Sequence, residues 1–302
     1  MTLQQLRFMI AVAEAGSINA AAQHLYTAQS NISGAIKSLE NELGIEIFTR
    51  SSRGVTLTNE GTELLGYARQ VVEQADMLEA RYAQGGTPQA RLSISAQHYA
   101  FSVQAFINVV ERCRDEKFEF IMRETTTAQI IDDVRAFHSD IGILYLDDFN
   151  RRVLEKAFTD ARVEFHPLFD AAVHVFVSEH HPLARRPQLS LEELAPYTRY
   201  SFEQGTSNSF YYAEEPFSYI PCERNIRVSD RGTLTNLLTT SNGYTLSTGM
   251  LSSEMQWGMA SIPLADAPTM HVGYIIHDER RPSPALEQYL AELDRIIAES
   301  RP

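Results

Sequence analysis

Hydrophobic positions in the first sixty residues recur at the three-and-four spacing of amphipathic helices. The apolar face of a first predicted helix consists of Leu3, Leu6, Ile10 and Ala13. Gly16 ends that helix, and Ser17 is a good N-cap for an alanine-rich second helix over residues 19–25. Residues 26–28 form a tight turn, and a third helix spans residues 29–43. The pattern therefore predicts three short helices joined by tight connections.

The third predicted helix is apolar on one side and polar at its start. A helix laid across the major groove of DNA reads base edges with residues near its N-terminus. Asn and Gln pair bidentately with adenine, whereas Ser and Lys suit phosphates or base edges. We therefore expect double-stranded DNA as a partner. The predicted DNA-contacting residues of this helix are Gln29, Ser30, Asn31, Ser33 and Lys37.

Two short apolar segments, residues 45–48 and 55–57, follow as predicted strands of a hairpin. The turn between them, residues 49–54, carries Arg50 and Arg53. Such a hairpin is a wing that touches phosphates or enters the minor groove. The alternative is an ordinary hairpin with two solvated arginines. Its position directly after three helices favours the wing, so Arg50 and Arg53 join the predicted DNA contacts.

This segment resembles the N-terminal domain of the LysR-type transcriptional regulators. The matching positions are Ala21-Ala22, Gln29-Ser30, Leu39-Glu40, Glu42-Leu43-Gly44, Phe48, Arg50 and Leu57-Thr58. The resemblance is specific over about 60 residues, and it extends more loosely over the whole chain. It implies an α/β fold class: an N-terminal winged helix-turn-helix with a long linker helix, plus a bilobal periplasmic-binding-protein-like effector domain.

One position departs from the pattern of the family. Gly34 stands where the family often carries a long basic residue. Glycine in a helix interior costs about 1 kcal/mol relative to alanine. Either the backbone approaches something closely at Gly34, or one DNA contact is missing.

A long amphipathic helix over residues 58–82 follows the hairpin. Its apolar positions alternate spacings of four and three, the heptad pattern of a coiled coil: Leu64, Ala68, Val71, Ala75, Leu78 and Tyr82. The alternative is a helix packed only on its own domain. Residues 84–88 then break the helix and serve as a hinge. We predict a DNA-binding domain over 1–58, a dimerisation helix with hinge over 59–86, and a homodimer through that helix.

The charge of the chain limits how it can bind DNA. The net charge is −13, and positions 1–90 hold six basic and nine acidic residues. Acidity argues against a protein that coats nucleic acid nonspecifically, although a few basic residues can still share one surface. We expect modest nonspecific affinity and a weak dependence on salt.

The remaining composition points to a cytoplasmic protein. Polar residues interrupt the first 15 positions, which argues against a signal peptide, and no apolar run approaches the length of a membrane span. Cys113 and Cys222 lie far apart without metal-ligand spacing, so we expect reduced packing thiols. His174, His180 and His181 also lack a metal pattern, and no metal or cofactor is expected.

Strands and helices alternate from residue 91 to the end. Predicted strands lie at 92–95, 118–122, 141–145, 173–177, 198–202, 226–228, 244–247 and 271–276. Predicted helices lie at 103–113, 128–137, 190–194, 232–240 and 283–299. The order implies a parallel sheet with helices on both faces. We predict an effector-binding domain over 87–302, with lobe I at 91–164 and 268–302 and lobe II at 165–267.

Ligands of open parallel sheets bind at the carboxyl ends of strands, near helix N-termini. The resemblance implies that the loop after the first effector strand, the threonine loop and the first strand-to-helix loop of lobe II line the cleft. The predicted effector-binding residues are Gln97, His98, Tyr99, Thr125, Thr126, Tyr145, Gln204 and Thr206. Alternatively, the threonines at 125–127 cap a helix and His98 is a plain surface residue. Residues 210–212 are aromatic and favour packing over ligand stacking.

A cleft rich in hydroxyls and amides, with few charges, suits a small polar metabolite such as an amino-acid derivative or a carboxylate. Residues 201–215 also resemble a branch of the family associated with sulfur amino-acid metabolism in Gram-positive bacteria. The family implies tetramers built from two dimers, with RNA polymerase as a further candidate partner.

Two rival classes are disfavoured. An enzyme would need catalytic motifs, and the sequence holds no G-x-S-x-G, Walker loop or G-x-G-x-x-G. A solute-binding protein would need an export signal and would not carry the first 86 residues. The sequence therefore predicts a ligand-responsive transcription regulator that is not an enzyme.

Overall fold

The computed structural model describes residues 1–51, 54–83, 90–207, 209–250 and 257–300. The chain divides into two compact units, Met1–Pro88 and Gln89–Pro302, and each is described by itself.

The described residues of the first unit form four helices and one hairpin. Its elements are α1 (Leu3–Ala15), α2 (Ile18–His24), α3 (Gln29–Leu43), β1 (Phe48–Ser51), β2 (Gly54–Leu57) and α4 (Asn59–Ala83). Thr2 and Gln5 cap α1 reciprocally, and Ser17 caps α2 as its sequence predicts. Gly16 and Gly44 end α1 and α3 at φ values of 63° and 69°, where glycine is unstrained. The predicted helices are thus present, with the predicted caps.

The strand predicted at 45–48 is wrong in its bounds, because β1 begins only at Phe48. The carboxylate of Glu40, on α3, accepts the backbone N–H groups of Ile47 and Phe48 at 2.9 and 3.3 Å. Those amides are therefore engaged by α3 rather than by a partner strand.

Helix α4 packs partly on its own unit. Ala68 is 1% exposed and belongs to the core that α1, α2 and α3 build, with Leu64 and Val72 packed against it. The assignment of Ala68 to an intermolecular seam is therefore contradicted. Two other positions of the predicted seam, Val71 and Leu78, remain exposed, and Tyr67, which was not predicted, extends them to an exposed apolar stripe of α4. The exposed stripe therefore coincides with the predicted seam only in part, because Leu64 and Ala68 pack on the internal core instead.

The second unit has two lobes, each with its own sheets. Its elements are β3 (Ala90–Ala96), α5 (Ala100–Arg112), β4 (Phe118–Glu124), α6 (Thr127–Arg135), β5 (Ile141–Leu146), α7 (Arg151–Ala161), β6 (Val163–Ala172), β7 (His174–Ser178), α8 (Leu191–Leu194), β8 (Arg199–Phe202), β9 (Asn225–Val228), α9 (Arg231–Thr240), β10 (Thr245–Ser247), β11 (Met259–Pro263), β12 (Thr269–His277) and α10 (Pro284–Ser300). Residues 210–212 form one turn of 3-10 helix.

The first lobe is built on a five-stranded sheet in the order β4-β3-β5-β12-β6. Strands β3, β4 and β5 are parallel, whereas β12 runs antiparallel to both β5 and β6. The sheet is therefore mixed, not purely parallel as predicted. All six residues of β5 are buried, which places this strand at the centre of the lobe.

The predicted lobe boundary at residues 164 and 165 is wrong. Strand β6 pairs with β12 along its length, from Val163 opposite His277 to Ala172 opposite Thr269. The chain therefore leaves the first lobe only at Val173, between β6 and β7. His166, Pro167 and Asp170 interrupt the apolar pattern of β6, which is why its sequence does not identify a strand.

The second lobe contains an antiparallel sheet, β10-β7-β11, and a parallel pair, β8-β9. Strand β11 was not predicted, and β12 then returns the chain to the first lobe. The carboxyl ends of β3 and β4 and the N-termini of α5, α6 and α9 supply the residues of the cleft described below.

Candidate functional site

The N-terminus of α3 presents polar side chains above a buried apolar face. Gln29, Ser30, Asn31 and Lys37 are exposed and Ser33 is half-buried, whereas Ile32, Ile36 and Leu39 are at most 1% exposed. The N-cap residue Ala28 supplies no side-chain hydrogen bond. The first-turn N–H groups of α3 therefore lack a side-chain cap, and the helix end suits a phosphate.

Gly34 faces open space in this unit. A Cβ built at that position has no atom within 4 Å. Close approach by another part of the first unit is therefore not the reason for glycine there. Tyr26, in the turn before α3, was not predicted as a contact, yet it is 98% exposed.

The hairpin is anchored at the end of α1. Val55 donates its N–H to the Gly16 carbonyl oxygen at 3.0 Å. A Cβ at Gly54, where φ is 127°, would lie 2.7 Å from that same oxygen, so glycine is required there. The backbone of Arg50 pairs with Val55 in the β1-β2 ladder. The side chain of Arg50 and the whole of Arg53 lie outside the described residues.

In the second unit, Gln97 organises the floor of the cleft between the lobes. Its Nε2 donates to Thr127 Oγ1 at 2.7 Å, and its Oε1 accepts the Tyr99 hydroxyl at 2.9 Å and the Tyr145 N–H at 3.2 Å. Gln97, Tyr99 and Tyr145 are 1%, 5% and 3% exposed. Burial raises the pKa of both tyrosines well above 10. The structure brings these three predicted residues together as a buried support.

His98 and Gln204 lie beside this support and connect the two lobes. The His98 ring stacks on Phe202, with centroids 3.7 Å apart and planes 5° apart. Its Nδ1 lies 2.9 and 3.0 Å from the two carboxylate oxygens of Glu214. Gln204 Oε1 accepts the Thr127 N–H at 3.1 Å, and Gln204 Nε2 donates to Glu214 at 3.3 Å. The chain's own side chains therefore hold the lobes together here.

The three remaining predicted threonines behave differently. Thr126 caps α6, accepting the Gln129 N–H at 3.3 Å, and Thr125 donates its N–H to the Ala96 carbonyl oxygen at 3.0 Å. Thr206 is exposed and lines a groove formed with α6 and α7, together with Asp132 and Tyr212. No contact of the described residues joins Thr206 to the Gln97 support.

The expectation of a cleft with few charges is wrong. Glu124, at the end of β4, lies 3.0 Å from Arg231 at the start of α9. Glu214 and Glu215 are 6% and 4% exposed. Glu124, Arg231, Glu214 and Glu215 are absent from the predicted effector-binding residues, and only residues 210–212 beside the two buried glutamates were assigned, to packing. Glutamates inside the aromatic run from 210 to 217 were the missed signal.

Burial changes the acidity of these groups. Burial raises the pKa of Glu215 to about 8, the charge of Glu214 adds to this, and the Phe202 N–H donated at 2.8 Å opposes it. Burial also raises the pKa of Glu124, against the attraction of Arg231. Burial lowers the pKa of His98, but hydrogen bonding and attraction to Glu214 outweigh that effect and raise it above 6.5. At neutral pH, Glu215 is therefore protonated.

The described part of the chain contains neither a candidate metal site nor a candidate membrane span. No group of three or more His, Cys, Asp or Glu side chains there is arranged to hold a metal ion. None of the helices given above is both long and apolar enough to span a bilayer.

Comparison with known proteins agrees with both units. Residues 3–62 match the bacterial regulatory helix-turn-helix proteins of the lysR family, and residues 85–296 match the LysR substrate binding domain. The HTH-type transcriptional regulator CzcR of Bacillus cereus is 39% identical over 94 residues, 31% of this chain and 33% of that protein. The hydrogen peroxide-inducible genes activator of Pectobacterium carotovorum is 25% identical over 208 residues, 68% of this chain and 65% of that protein.

The chain thus spans about one third to two thirds of the length of these curated relatives. Among solved structures, a cysteine mutant of Corynebacterium glutamicum OxyR has the same fold, with a TM-score of 0.50 and 20% identity. That likeness covers 99% of this chain and 92% of the other.

The chain belongs to the LysR family of bacterial helix-turn-helix regulators. The predicted family is confirmed, and so is the fold class of a winged helix-turn-helix followed by an α/β effector domain. Members of this family are DNA-binding transcription regulators rather than enzymes, which confirms that part of the prediction.

Proposed function

We propose that this chain is a ligand-responsive regulator whose α3 lies in the major groove of double-stranded DNA. The observation that carries the proposal is the exposed polar start of α3 above its buried apolar face. The residues proposed to contact DNA are Gln29, Ser30, Asn31, Ser33, Lys37, Arg50 and Arg53. The first five supply amide, hydroxyl and ammonium groups of the kind that read base edges and phosphates, and the two arginines belong to the wing.

We propose that α4 forms a homodimer through its exposed stripe. Tyr67, Val71 and Leu78 follow spacings of four and seven residues, which is a heptad seam. Without a partner helix, this apolar stripe would remain exposed to water. Pairing two chains gives two copies of α3, and two dimers would give a tetramer. RNA polymerase is a further proposed partner. The proposed domains are the DNA-binding domain over 1–58, the dimerisation helix with hinge over 59–86 and the effector-binding domain over 87–302. Within the effector-binding domain, the chain passes from the first lobe to the second at residue 173.

A small polar metabolite is the proposed ligand of the cleft, and no cofactor takes part. The proposed ligand-binding set keeps Gln97, His98, Thr125, Thr126 and Gln204, with Tyr99 and Tyr145 as support. Thr206 remains a proposal at the outer groove. Ligand binding changes the contacts between the lobes, and it shifts DNA binding only by as much as the ligand prefers one arrangement.

Sequencing of the genomic fragments bound by the purified full-length protein tests the proposal. Fragments should share one short motif with two half-sites, and fractionated metabolite extracts should change their recovery. Gln4→Ala, at an exposed position of α1, is a control that should leave the motif unchanged. Recovery of fragments without a shared motif would reject the proposed base readout, and recovery insensitive to every fraction would reject the proposed ligand response.

A further inference from the structure

The cleft contains a buried carboxylate that belongs to the chain itself. Glu214 lies on the second lobe, between the 3-10 turn and β9, and its side chain is only 5% exposed. It reaches across the cleft to the loop that follows β3 of the first lobe. A buried carboxylate is costly unless donors satisfy it, so the groups around it describe a site for an anion.

Three donors surround Glu214. The His98 N–H donates to one carboxylate oxygen at 3.0 Å, the His98 ring nitrogen Nδ1 lies 2.9 and 3.0 Å from the two oxygens, and Gln204 Nε2 donates at 3.3 Å. The His98 amide lies two positions before α5, whose positive end also favours an anion. We call these three donors the carboxylate cradle. Two belong to the first lobe and one to the second.

The charges of the cleft allow one anion in the cradle. Glu124 is matched by Arg231, and Glu215 is uncharged at neutral pH because burial raises its pKa to about 8. The three donors of the cradle therefore face the Glu214 carboxylate alone. A second anion beside Glu214 would be buried without a partner, which is strongly unfavourable. A cation would find the carboxylates Glu124 and Glu214 already paired.

We propose that Glu214 is an internal competitor for the cradle, and that the ligand of this protein is a small molecule whose carboxylate displaces it. The inference deepens the proposed function and rests on it. Exchange replaces one carboxylate with another, so the net charge of the cradle does not change. It also removes contacts between His98 and the second lobe, which is how ligand binding changes the arrangement of the lobes.

Acetate is the probe that tests this inference. Glu214→Ala empties the cradle, and acetate should bind the full-length variant at least about tenfold more tightly than the wild type, whose cradle is open for only a fraction of the time. Calorimetric titration with sodium acetate, against sodium chloride at equal ionic strength, measures the difference. Acetate should also restore the wild-type NMR shifts of the His98 ring nitrogens in Glu214→Ala.

Three comparisons make the test decisive. Glu203→Ala removes an exposed carboxylate of the same lobe and should bind acetate as the wild type does. Glu214→Gln keeps the shape and an acceptor oxygen but loses the charge, and it should bind acetate more tightly than the wild type even if Glu214→Ala fails to fold. Methylammonium should bind none of the variants more tightly than the wild type.

Equal acetate affinity of the wild type and the Glu214 variants would overturn the inference, and so would a gain in methylammonium affinity. The proposed function is judged separately, by the response of wild-type DNA binding to metabolite fractions. That response can persist when the acetate result is negative, in which case only the exchange of carboxylates is wrong.

Discussion

The buried carboxyl of Glu215 should make the stability of the second unit depend on pH. Glu215 is 4% exposed, and burial raises its pKa from 4.5 to about 8. Between these values the folded chain holds a proton on Glu215 that the unfolded chain has lost. The stabilisation from the neutral carboxyl is therefore complete below pH 4.5 and is lost as the pH rises to about 8.

The size of the effect follows from the shift. When the folded chain holds one proton that the unfolded chain lacks, the free energy of unfolding falls by about 1.4 kcal/mol for each unit by which the pH rises. Over the interval from 4.5 to about 8 the upper limit is about 5 kcal/mol. Glu215→Gln replaces the neutral carboxyl with an amide of the same shape. The free energy of unfolding of Glu215→Gln, relative to that of the wild type, should therefore increase as the pH rises from 6 to 8.

Urea unfolding of the wild type and Glu215→Gln at pH 6, 7 and 8 measures this difference in the free energy of unfolding. The near-UV circular dichroism of the buried tyrosines Tyr99, Tyr145 and Tyr289 reports on the second unit. Glu223→Gln, at an exposed position, should follow the wild-type pH profile. Parallel pH profiles of the wild type and Glu215→Gln would refute the reasoning, because they would show that Glu215 is ionised in the folded chain.

Two further predictions concern the first unit. Gly61→Ala should destabilise it by about 1–3 kcal/mol in thermal or urea unfolding, because the new Cβ would lie 2.2 Å from the Ile47 carbonyl oxygen; Gly66→Ala, with open space around its Cβ, should instead stabilise α4 by up to about 1 kcal/mol. A loss of stability in both variants would argue against the open space around Gly66. Val71→Glu should convert the proposed dimer to monomer in sedimentation, whereas Gln70→Glu, exposed outside the stripe, should not; a Val71→Glu dimer would contradict the seam.

Local sequence signals predict most of the first unit. Caps such as Ser17, Gly16 and Gly44 act within a few residues of the chain, so the bounds of α1, α2 and α3 follow from them. The orientation of α4 does not, because Ala68 and Val71 are both apolar and only the packing against α1 separates them. The start of β1 at Phe48 depends on Glu40, eight residues earlier, which no local pattern reveals.

The second unit is less predictable because its critical contacts are distant in sequence. The β6 strand is stabilised by pairing with β12, about one hundred residues away, and its own sequence is irregular. The strand-end loops correctly indicate Gln97, His98 and Gln204 as neighbours of one cleft. Glu214 lies 116 residues from His98, and its role appears only when the second lobe brings it to the end of β3.

A binding titration measures whether the start of α3 reads DNA bases. The dissociation constants of the wild type and of Gln29→Ala with Asn31→Ala are measured on a selected operator and on a scrambled duplex. We expect the operator preference to fall by about 1–3 kcal/mol per lost base contact, while affinity for the scrambled duplex is unchanged. An operator preference equal to that of the wild type would contradict it.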